Sequence, residues 1–236
     1  MHSNRIEGLE RLENTLIEDD ILFESFVQSL SVTVTELFRD PLFFASLRKN
    51  VLLRLATYPI IKIWIAGCAT GQEVFSVAIL LRETNLLERS IIYATDINQQ
   101  SLATARQGIY PAHDLSKYEY NYVGSGGTGK LSDYFIESQG SILFDKTLTE
   151  KSDSTLLIIW LPINLYNEFQ LILCRNVIMY FDKGLQDKVT QLFFRQPLPV
   201  WFHWLGDKES FHLSTFRSAF ENVDRIQKIY RKITSS

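Results

Sequence analysis

The chain has 236 residues, of which 46% are hydrophobic and 22% charged, and its formal net charge is -3. That length suffices for one α/β domain with a sizeable core, or for such a domain with a small helical attachment. The charge argues against nonspecific nucleic-acid binding, and no apolar run approaches the roughly 18 residues of a membrane span. The two cysteines, Cys68 and Cys174, cannot form a disulfide framework, and no Cys/His cluster has metal-ligand spacing. The polar start is no signal peptide. With this use of cysteine we expect a protein of the reducing cytoplasm, without membrane insertion and without a bound metal.

The first part of the chain is predicted to be helical. Apolar residues recur near the helical period over 6–30, and the acidic residues between them indicate a solvated face. Alternating Val and Thr over 31–35 suggest an extended segment, after which Thr35 can cap a helix that begins at Glu36. Another helix is predicted over 42–58.

The segment 61–76 combines a buried strand, a turn of small residues and an amphipathic helix that begins at Glu73. Small side chains between Gly67 and Gly71 let a ligand approach the backbone, and the N–H groups of the first helical turn face it. Such a corner, taken alone, is as often a plain connection as a ligand site.

A second predicted strand ends at Asp96, 25 residues after Gly71. Rossmann-type folds place a carboxylate at roughly this spacing, where it accepts hydrogen bonds from both ribose hydroxyls. The alternative is a strand-end Asp that caps the helix 99–107.

The pattern changes over 110–151, where tyrosines are frequent and helical periodicity is poor. We predict an inserted segment there. The glycine cluster 124–129 follows no clear apolar strand, so it is predicted to be a flexible loop rather than a phosphate cradle.

A third buried strand is predicted over 169–181, with a polar end at Arg175 and Asn176, followed by a helix over 183–194. In open α/β sheets, ligands lie at the carboxyl ends of the strands. Three predicted strand ends carry groups suited to binding a ligand, namely the turn from Gly67 to Gly71, Asp96, and Arg175 with Asn176. The last third, with Ser214, Phe216, Phe220, Val223, Arg225 and Tyr230, is predicted to supply the closing strands of the sheet.

Four blocks of the chain together resemble the CheR-type chemotaxis receptor methyltransferases, which methylate glutamate side chains with S-adenosylmethionine. The likeness extends from about residue 9 to residue 233. The blocks, in family order, are Ser31–Asp40 (SVTVTELFRD), Gly67–Glu73 (GCATGQE), Ala94–Asn98 (ATDIN) and Cys174–Phe181 (CRNVIMYF).

The resemblance implies an α/β fold, with a class I methyltransferase (Rossmann-like) sheet flanked by helices. It implies an N-terminal helical region over 1–58 that is shorter than the family's, and a cofactor-binding domain over 59–236. A β-subdomain, inserted at about 110–150, is implied within the second domain.

The resemblance also implies contacts with S-adenosylmethionine and with its product, S-adenosylhomocysteine. Thr33, Thr35 and Arg39 match the family's cofactor-contacting segment, with Arg39 as the bidentate partner of the methionine carboxylate. The family usually has Asn where Thr33 stands. Glu73 matches the glutamate that holds the amino group, and Asp96 matches the ribose-binding acid.

Further site residues follow from the same likeness. Gly67 and Gly71 belong to the cofactor turn, and Asn176 and Val177 would border the adenosine and the methyl group. The substrate-orienting candidates are Tyr180 and Arg54.

Two stretches depart from the family pattern. Residues 154–165 lack the family's His-Asn-Leu adenine contact, and 195–205 lack the motif that precedes Gly206. Shifted by one base, suitable codons for either stretch can encode the family motif. We therefore hypothesise compensated reading-frame slips, which resequencing of the coding DNA would test.

The function implied is methyl transfer to glutamate carboxylates on the cytoplasmic helices of a methyl-accepting chemoreceptor, by a monomer. A second hypothesis, motivated by the altered stretches, is a degenerate interaction module that has lost cofactor binding. A NAD-linked oxidoreductase is a distant third possibility, because the turn lacks the G-x-G-x-x-G spacing.

Overall fold

The structure is a computed structural model that describes residues 9–30, 35–150, 158–161, 168–194, 201–203 and 220–233. None of the helices in these ranges is both long enough and apolar enough to cross a membrane. The α-helices in these ranges are α1 Leu9–Glu18, α2 Asp20–Leu30, α3 Pro41–Ser46, α4 Leu53–Leu55, α5 Gln72–Glu83, α6 Gln99–Gln107, α7 Leu115–Gly124 and α8 Lys183–Phe194.

Seven strands in the described ranges form the main sheet. In spatial order they are β6 Ile158–Leu161, β2 Ser90–Thr95, β1 Ile61–Ala66, β7 Leu171–Leu173, β8 Trp201–His203, β10 Ile229–Lys232 and β9 Phe220–Asp224. Neighbours from β6 to β8 are parallel, whereas β10 is antiparallel to both β8 and β9. Numbered along the chain within this sheet, the order is 3-2-1-4-5-7-6. This confirms the predicted class I methyltransferase fold.

The strand order switches sides between β1 and β7. After β1, strands β2 and β6 lie successively on one side of it, and the next strand, β7, lies on the other side. Such a reversal leaves a crevice at the carboxyl ends of the two strands, which is where open α/β sheets bind ligands. The predicted cofactor turn follows β1 directly, so it borders this crevice.

A second sheet lies between α6 and β6. It contains β3 Ile109–Pro111, β5 Ser141–Phe144 and β4 Phe135–Ser138 in antiparallel order. The prediction of a helix-poor segment is wrong, because α7 occupies Leu115–Gly124. Tyr118 and Tyr122, one helical turn apart, are both buried and give α7 its inner face.

The glycine cluster 124–129 is packed against the protein. A Cβ added to Gly127 would stand 2.3 Å from the Tyr122 ring, so only glycine fits there. The Gly129 N–H donates to the Tyr122 hydroxyl, and the Thr128 N–H donates to Glu83. These amides bind groups of the protein, and the loop is ordered by those contacts.

The N-terminal helical prediction needs two corrections. The pattern over 6–30 belongs to two helices, because the chain breaks at Asp19, whose side chain accepts from the Leu22 N–H. The prediction of a helix at Glu36 capped by Thr35 is wrong. Residues 35–40 are non-helical, and the next helix begins at Pro41.

Tertiary contacts explain the later helix start. Phe38 and Asp40 have positive φ values of 50° and 59°, which end a helix before it can form. Phe38 is fully buried and its N–H donates to the Ser76 hydroxyl. Beyond Pro41 the helix is continuous to Leu55, with a π-helical segment at Leu47–Leu52.

The remaining predictions on strands are met in part. The third strand is short, Leu171–Leu173, and β9 and β10 supply closing strands. Ser214 and Phe216 lie outside the described residues, as do most of the two altered stretches.

Candidate functional site

Residues 67–71 form a turn whose backbone is tied down at nearly every step. The N–H groups of Gly67 and Cys68 both donate to the carbonyl of Thr95, at the end of the neighbouring strand. The Gly71 N–H donates to the Cys68 carbonyl, and the Tyr110 hydroxyl donates to the Thr70 carbonyl at 2.7 Å. The turn is therefore preorganised at the mouth of the crevice.

Asp96 fastens this turn to the end of β2. One carboxylate oxygen accepts from the Ala69 N–H at 2.8 Å, and the other accepts from the Asn98 N–H at 2.8 Å. The cap of α6 is Asn98, whose side chain accepts from Ser101, so the alternative role of Asp96 as that cap is wrong. The Asp96 side chain is half-buried, and each oxygen keeps a lone pair for a further donor.

The ends of β1 and β7 meet at Gly67. This residue is exposed, its φ is 76°, and an added Cβ would stand 2.3 Å from the Val177 side chain. Asn176 also has a positive φ, 58°, which Asn tolerates better than most residues. Gly67, Asn176 and Val177 thus form one wall of the crevice.

Arg175 joins the N-terminal segment to the start of α5. Its guanidinium pairs with Glu73 at 3.0 Å and with Asp40 at 2.5 Å, and it also donates to the Arg39 carbonyl. The Arg175 side chain is 1% exposed and lies over the Phe43 ring at 4.4 Å. Arg39 and Glu73, which are 34 positions apart in sequence, are brought together by this residue.

Glu73 lies in an unusual electrostatic environment. Burial raises the pKa of its carboxyl above the ordinary value, although the Arg175 guanidinium opposes this shift. Glu73 and Asp40 share the buried Arg175, and the nearby Arg39 also acts to lower the pKa of Glu73. Two carboxylates and two guanidinium groups thus lie close together, a set that suits the ammonium and carboxylate groups of an amino acid.

The structure does not bring all predicted residues together. Arg54 is exposed on α4, at the opposite end of the Pro41–Leu55 helix from Arg39, about 20 Å along its axis. Tyr180 is 58% exposed, three positions beyond Val177 in a short 3-10 helix. Thr35 is half-buried, and Thr33 lies outside the described residues.

Sequence reasoning missed Asp40 and Tyr110, and it named Arg175 only as a polar strand end. Their partners are distant in sequence: Arg175 is 135 positions from Asp40, and Tyr110 is 40 from Thr70. The one available signal was an Arg that ends a strongly apolar strand, since a buried arginine is almost always paired.

The arrangement fits a ligand with a diol at one end and an amino acid at the other. Asp96 offers carboxylate oxygens beside an exposed glycine, which suits ribose hydroxyls. Glu73 offers a carboxylate for an ammonium group, and Arg39 offers a guanidinium for a carboxylate. No cluster of three or more His, Cys, Asp or Glu suited to a metal ion occurs in the described ranges.

Comparison with known proteins agrees with this chemistry. The family model "CheR methyltransferase, SAM binding domain" matches residues 33–228. "Putative methyltransferase Cher3" of Pseudomonas putida is 42% identical over 94% of this chain and 81% of its own length. The chemotaxis protein methyltransferase of Escherichia coli is 26% identical over 80% of this chain, but the match spans only 65% of that protein.

Solved structures of methyltransferases are more distant. The plantazolicin methyltransferase BpumL in complex with SAH has a TM-score of 0.37 and 9% identity, over 81% of this chain and 55% of its own. A SAM-dependent methyltransferase from Methanosarcina mazei has a TM-score of 0.35 and 13% identity, over 72% and 63%.

The sheet order and the polar corner at its switch point define a class I, S-adenosylmethionine-dependent methyltransferase domain. The chain belongs to the CheR methyltransferase family. S-adenosylmethionine is therefore the cofactor of the domain.

Proposed function

We propose that the chain transfers a methyl group from S-adenosylmethionine to glutamate side chains of chemoreceptor cytoplasmic helices, forming glutamyl methyl esters. Family membership supports the general reaction, and the Glu73–Arg175–Asp40 cluster beside Asp96 is the observation that carries it. Three elements that are remote in sequence supply this cluster at the switch point of the sheet.

The chain's own residues divide the binding between them. Asp96 would hold the ribose hydroxyls, Glu73 the amino group and Arg39 the carboxylate of the amino-acid end. Asn176 and Val177 would border the adenosine and the reacting carbon, and the turn from Gly67 to Gly71 leaves room for close approach of the ligand. When bound, S-adenosylmethionine supplies an electrophilic methyl group on a sulfonium.

The reaction needs little acid–base help from the protein. A substrate glutamate is already ionised near neutral pH, so it can attack the methyl carbon without a general base. The nearby Cys68 thiol is a poor candidate for chemistry, since burial raises its pKa far above the ordinary value. The chain's contribution would be alignment and exclusion of water, and alignment alone can supply on the order of 7–11 kcal/mol.

Tyr180 is the proposed substrate-orienting residue. It follows the Asn176–Val177 wall and its side chain is exposed, so a receptor helix could reach its hydroxyl. We do not retain Arg54 in this role, because its helix carries it to the far end from Arg39. A Tyr180→Phe variant is expected to raise the KM for the receptor more than the Kd of S-adenosylhomocysteine.

Methyl-labelled cofactor incubated with receptor cytoplasmic fragments tests the proposal. We expect label on the receptor that mild alkali releases, as esters require. Alkali-stable label would contradict the ester chemistry, and no transfer to any receptor fragment would contradict the substrate class.

The degenerate interaction module is the rival function, and the altered stretches 154–165 and 195–205 favour it. It predicts that the protein binds no S-adenosylhomocysteine. The enzyme is supported instead by Asp96, Glu73 and Arg39, which are all present at the positions that the family likeness gives to cofactor contacts.

A further inference from the structure

The small antiparallel sheet contacts the cofactor turn through one polar side chain. Tyr110 is on β3, and its hydroxyl donates to the Thr70 carbonyl at 2.7 Å. The other hydrogen bonds of the turn within the described ranges come from the turn itself, from the end of β2 and from the first turn of α5. Among the described residues, Tyr110 is thus the group outside the main sheet and its helices that bonds this backbone.

The Tyr110 ring is held on several sides. It is 2% exposed and packs edge-on against Phe75 of α5 and Phe144 of β5, with ring centroids 6.0 and 5.8 Å apart. Phe75 and Phe144 in turn stack with centroids 4.3 Å apart. The sheet is therefore seated on the helix that begins at the cofactor turn, and the Tyr110 hydroxyl has little freedom to leave Thr70.

The same hydroxyl lies beside the glycine that ends the turn. A Cβ added to Gly71 would stand 3.1 Å from the Tyr110 oxygen and 2.7 Å from Ala105 on α6. Burial raises the pKa of the Tyr110 phenol far above its ordinary value, which favours the protonated hydroxyl that donates to Thr70.

We propose that Tyr110 is a positioning residue for cofactor binding, through which the inserted sheet holds the 67–71 turn in its ligand-binding shape. The inference rests on the proposed cofactor role of that turn. Without the hydroxyl, the Thr70 carbonyl loses its partner and the turn can relax. Part of the free energy of cofactor binding is then needed to restore the ligand-binding shape of the turn.

The test compares Tyr110→Phe with Tyr122→Phe. The first substitution keeps the ring contacts and removes only the hydroxyl. The second removes another buried tyrosine hydroxyl, one that bonds Glu83 at the far end of α5. Calorimetry with S-adenosylhomocysteine and thermal unfolding are measured for both variants and for the unmodified chain.

We expect Tyr110→Phe to raise the Kd about tenfold, since leaving an acceptor without its partner typically weakens an equilibrium by that order. Tyr122→Phe should lower the unfolding temperature and leave the Kd within twofold. In the methyl-transfer assay, Tyr110→Phe should raise the KM for S-adenosylmethionine and leave kcat at saturation unchanged.

An unchanged Kd in Tyr110→Phe, with the unmodified chain binding normally, would overturn the positioning role. So would an equal rise in Kd for both variants, which would make the effect one of general stability. If the unmodified chain bound no ligand, the cofactor site itself would fail, and that result is distinct from the other two.

Discussion

Gly67, the residue after β1, lies against Val177, which follows β7, and its missing side chain keeps the crevice open. In Gly67→Ala, the new Cβ would start 2.3 Å from Val177, and the backbone would be held at a φ of 76°. We expect the variant to bind S-adenosylhomocysteine at least tenfold more weakly, because the wall formed by Val177 must move.

Gly140→Ala is the matched control for that measurement. Gly140 has nearly the same φ, 74°, but nothing lies within 4 Å of its added Cβ. Both variants pay the backbone cost of roughly 1–2 kcal/mol for a left-handed residue, so only the first adds a collision. Equal ligand affinities in the two variants would show that Val177 does not form the wall we describe.

If Glu73 holds the amino group of the cofactor as we propose, cofactor binding should depend on pH. Its raised pKa means that the free protein takes up a proton on Glu73 at a higher pH than an ordinary glutamate does. The ligand's ammonium group needs the ionised carboxylate, so affinity is full above this pKa and falls as pH drops through it. Binding in mildly acid buffer is therefore expected to release a proton.

Calorimetry in buffers of different ionisation enthalpy measures that release. Glu73→Gln should bind S-adenosylhomocysteine more weakly at neutral pH and show no proton release in acid. A Glu73→Gln variant that retained the same pH dependence would assign the titration to another group.

Among individual residues, the candidate site positions that the sequence indicates are those within short motifs. Asp96 could be found because strand ends and their spacing from the glycine turn are local patterns. The role of Arg175 could not, because its partners Asp40 and Glu73 are 135 and 102 positions away. An ion pair between such residues is visible only once the strand order is known.

At the level of secondary-structure elements, the ion pairs of Arg175 with Asp40 and Glu73 link the N-terminal segment to the main sheet. They join the turn before α3, the first turn of α5 and the end of β7. In Arg175→Leu, two carboxylates lose a shared cation whose side chain is only 1% exposed, and Glu73 is itself largely buried. We expect the free energy of unfolding to fall by about 3–5 kcal/mol, which urea denaturation measures.

Lys117→Met removes the cation of a pair with Glu36 and serves as the control. The Lys117 side chain is 62% exposed, so this substitution should change stability by no more than about 1 kcal/mol. If Arg175→Leu were as mild as Lys117→Met, the buried cluster would not hold these elements together.

Prediction of the elements failed where long-range contacts override local signals. The helix expected at Glu36 starts at Pro41, because Phe38 is fully buried and bonded to Ser76 and because Arg175 holds Asp40. Helix α7 was missed for a different reason. Tyr118 and Tyr122 have helical spacing, but frequent tyrosines with glycines nearby are also typical of irregular structure.

Across the whole molecule, the class of fold was predictable because β-strands alternate with helices and the resemblance names the fold, whereas the strand order comes from the structure. The altered stretches do not remove strands from it. β6, within 154–165, pairs with β2, and β8, within 195–205, pairs with β7 and β10. The reading-frame hypothesis covers residues of these two strands themselves and stays a prediction until the coding DNA is resequenced.

The central claim is that the corner from Gly67 to Glu73, with Asp96 and Arg39, binds the cofactor in this chain as it stands. Isothermal titration of the unmodified protein with S-adenosylhomocysteine tests that claim most directly. We predict one site per chain with a dissociation constant in the micromolar range, weakened in Gly67→Ala. A folded protein that gives no binding heat and no ligand-induced rise in unfolding temperature would contradict the claim and favour the degenerate interaction module.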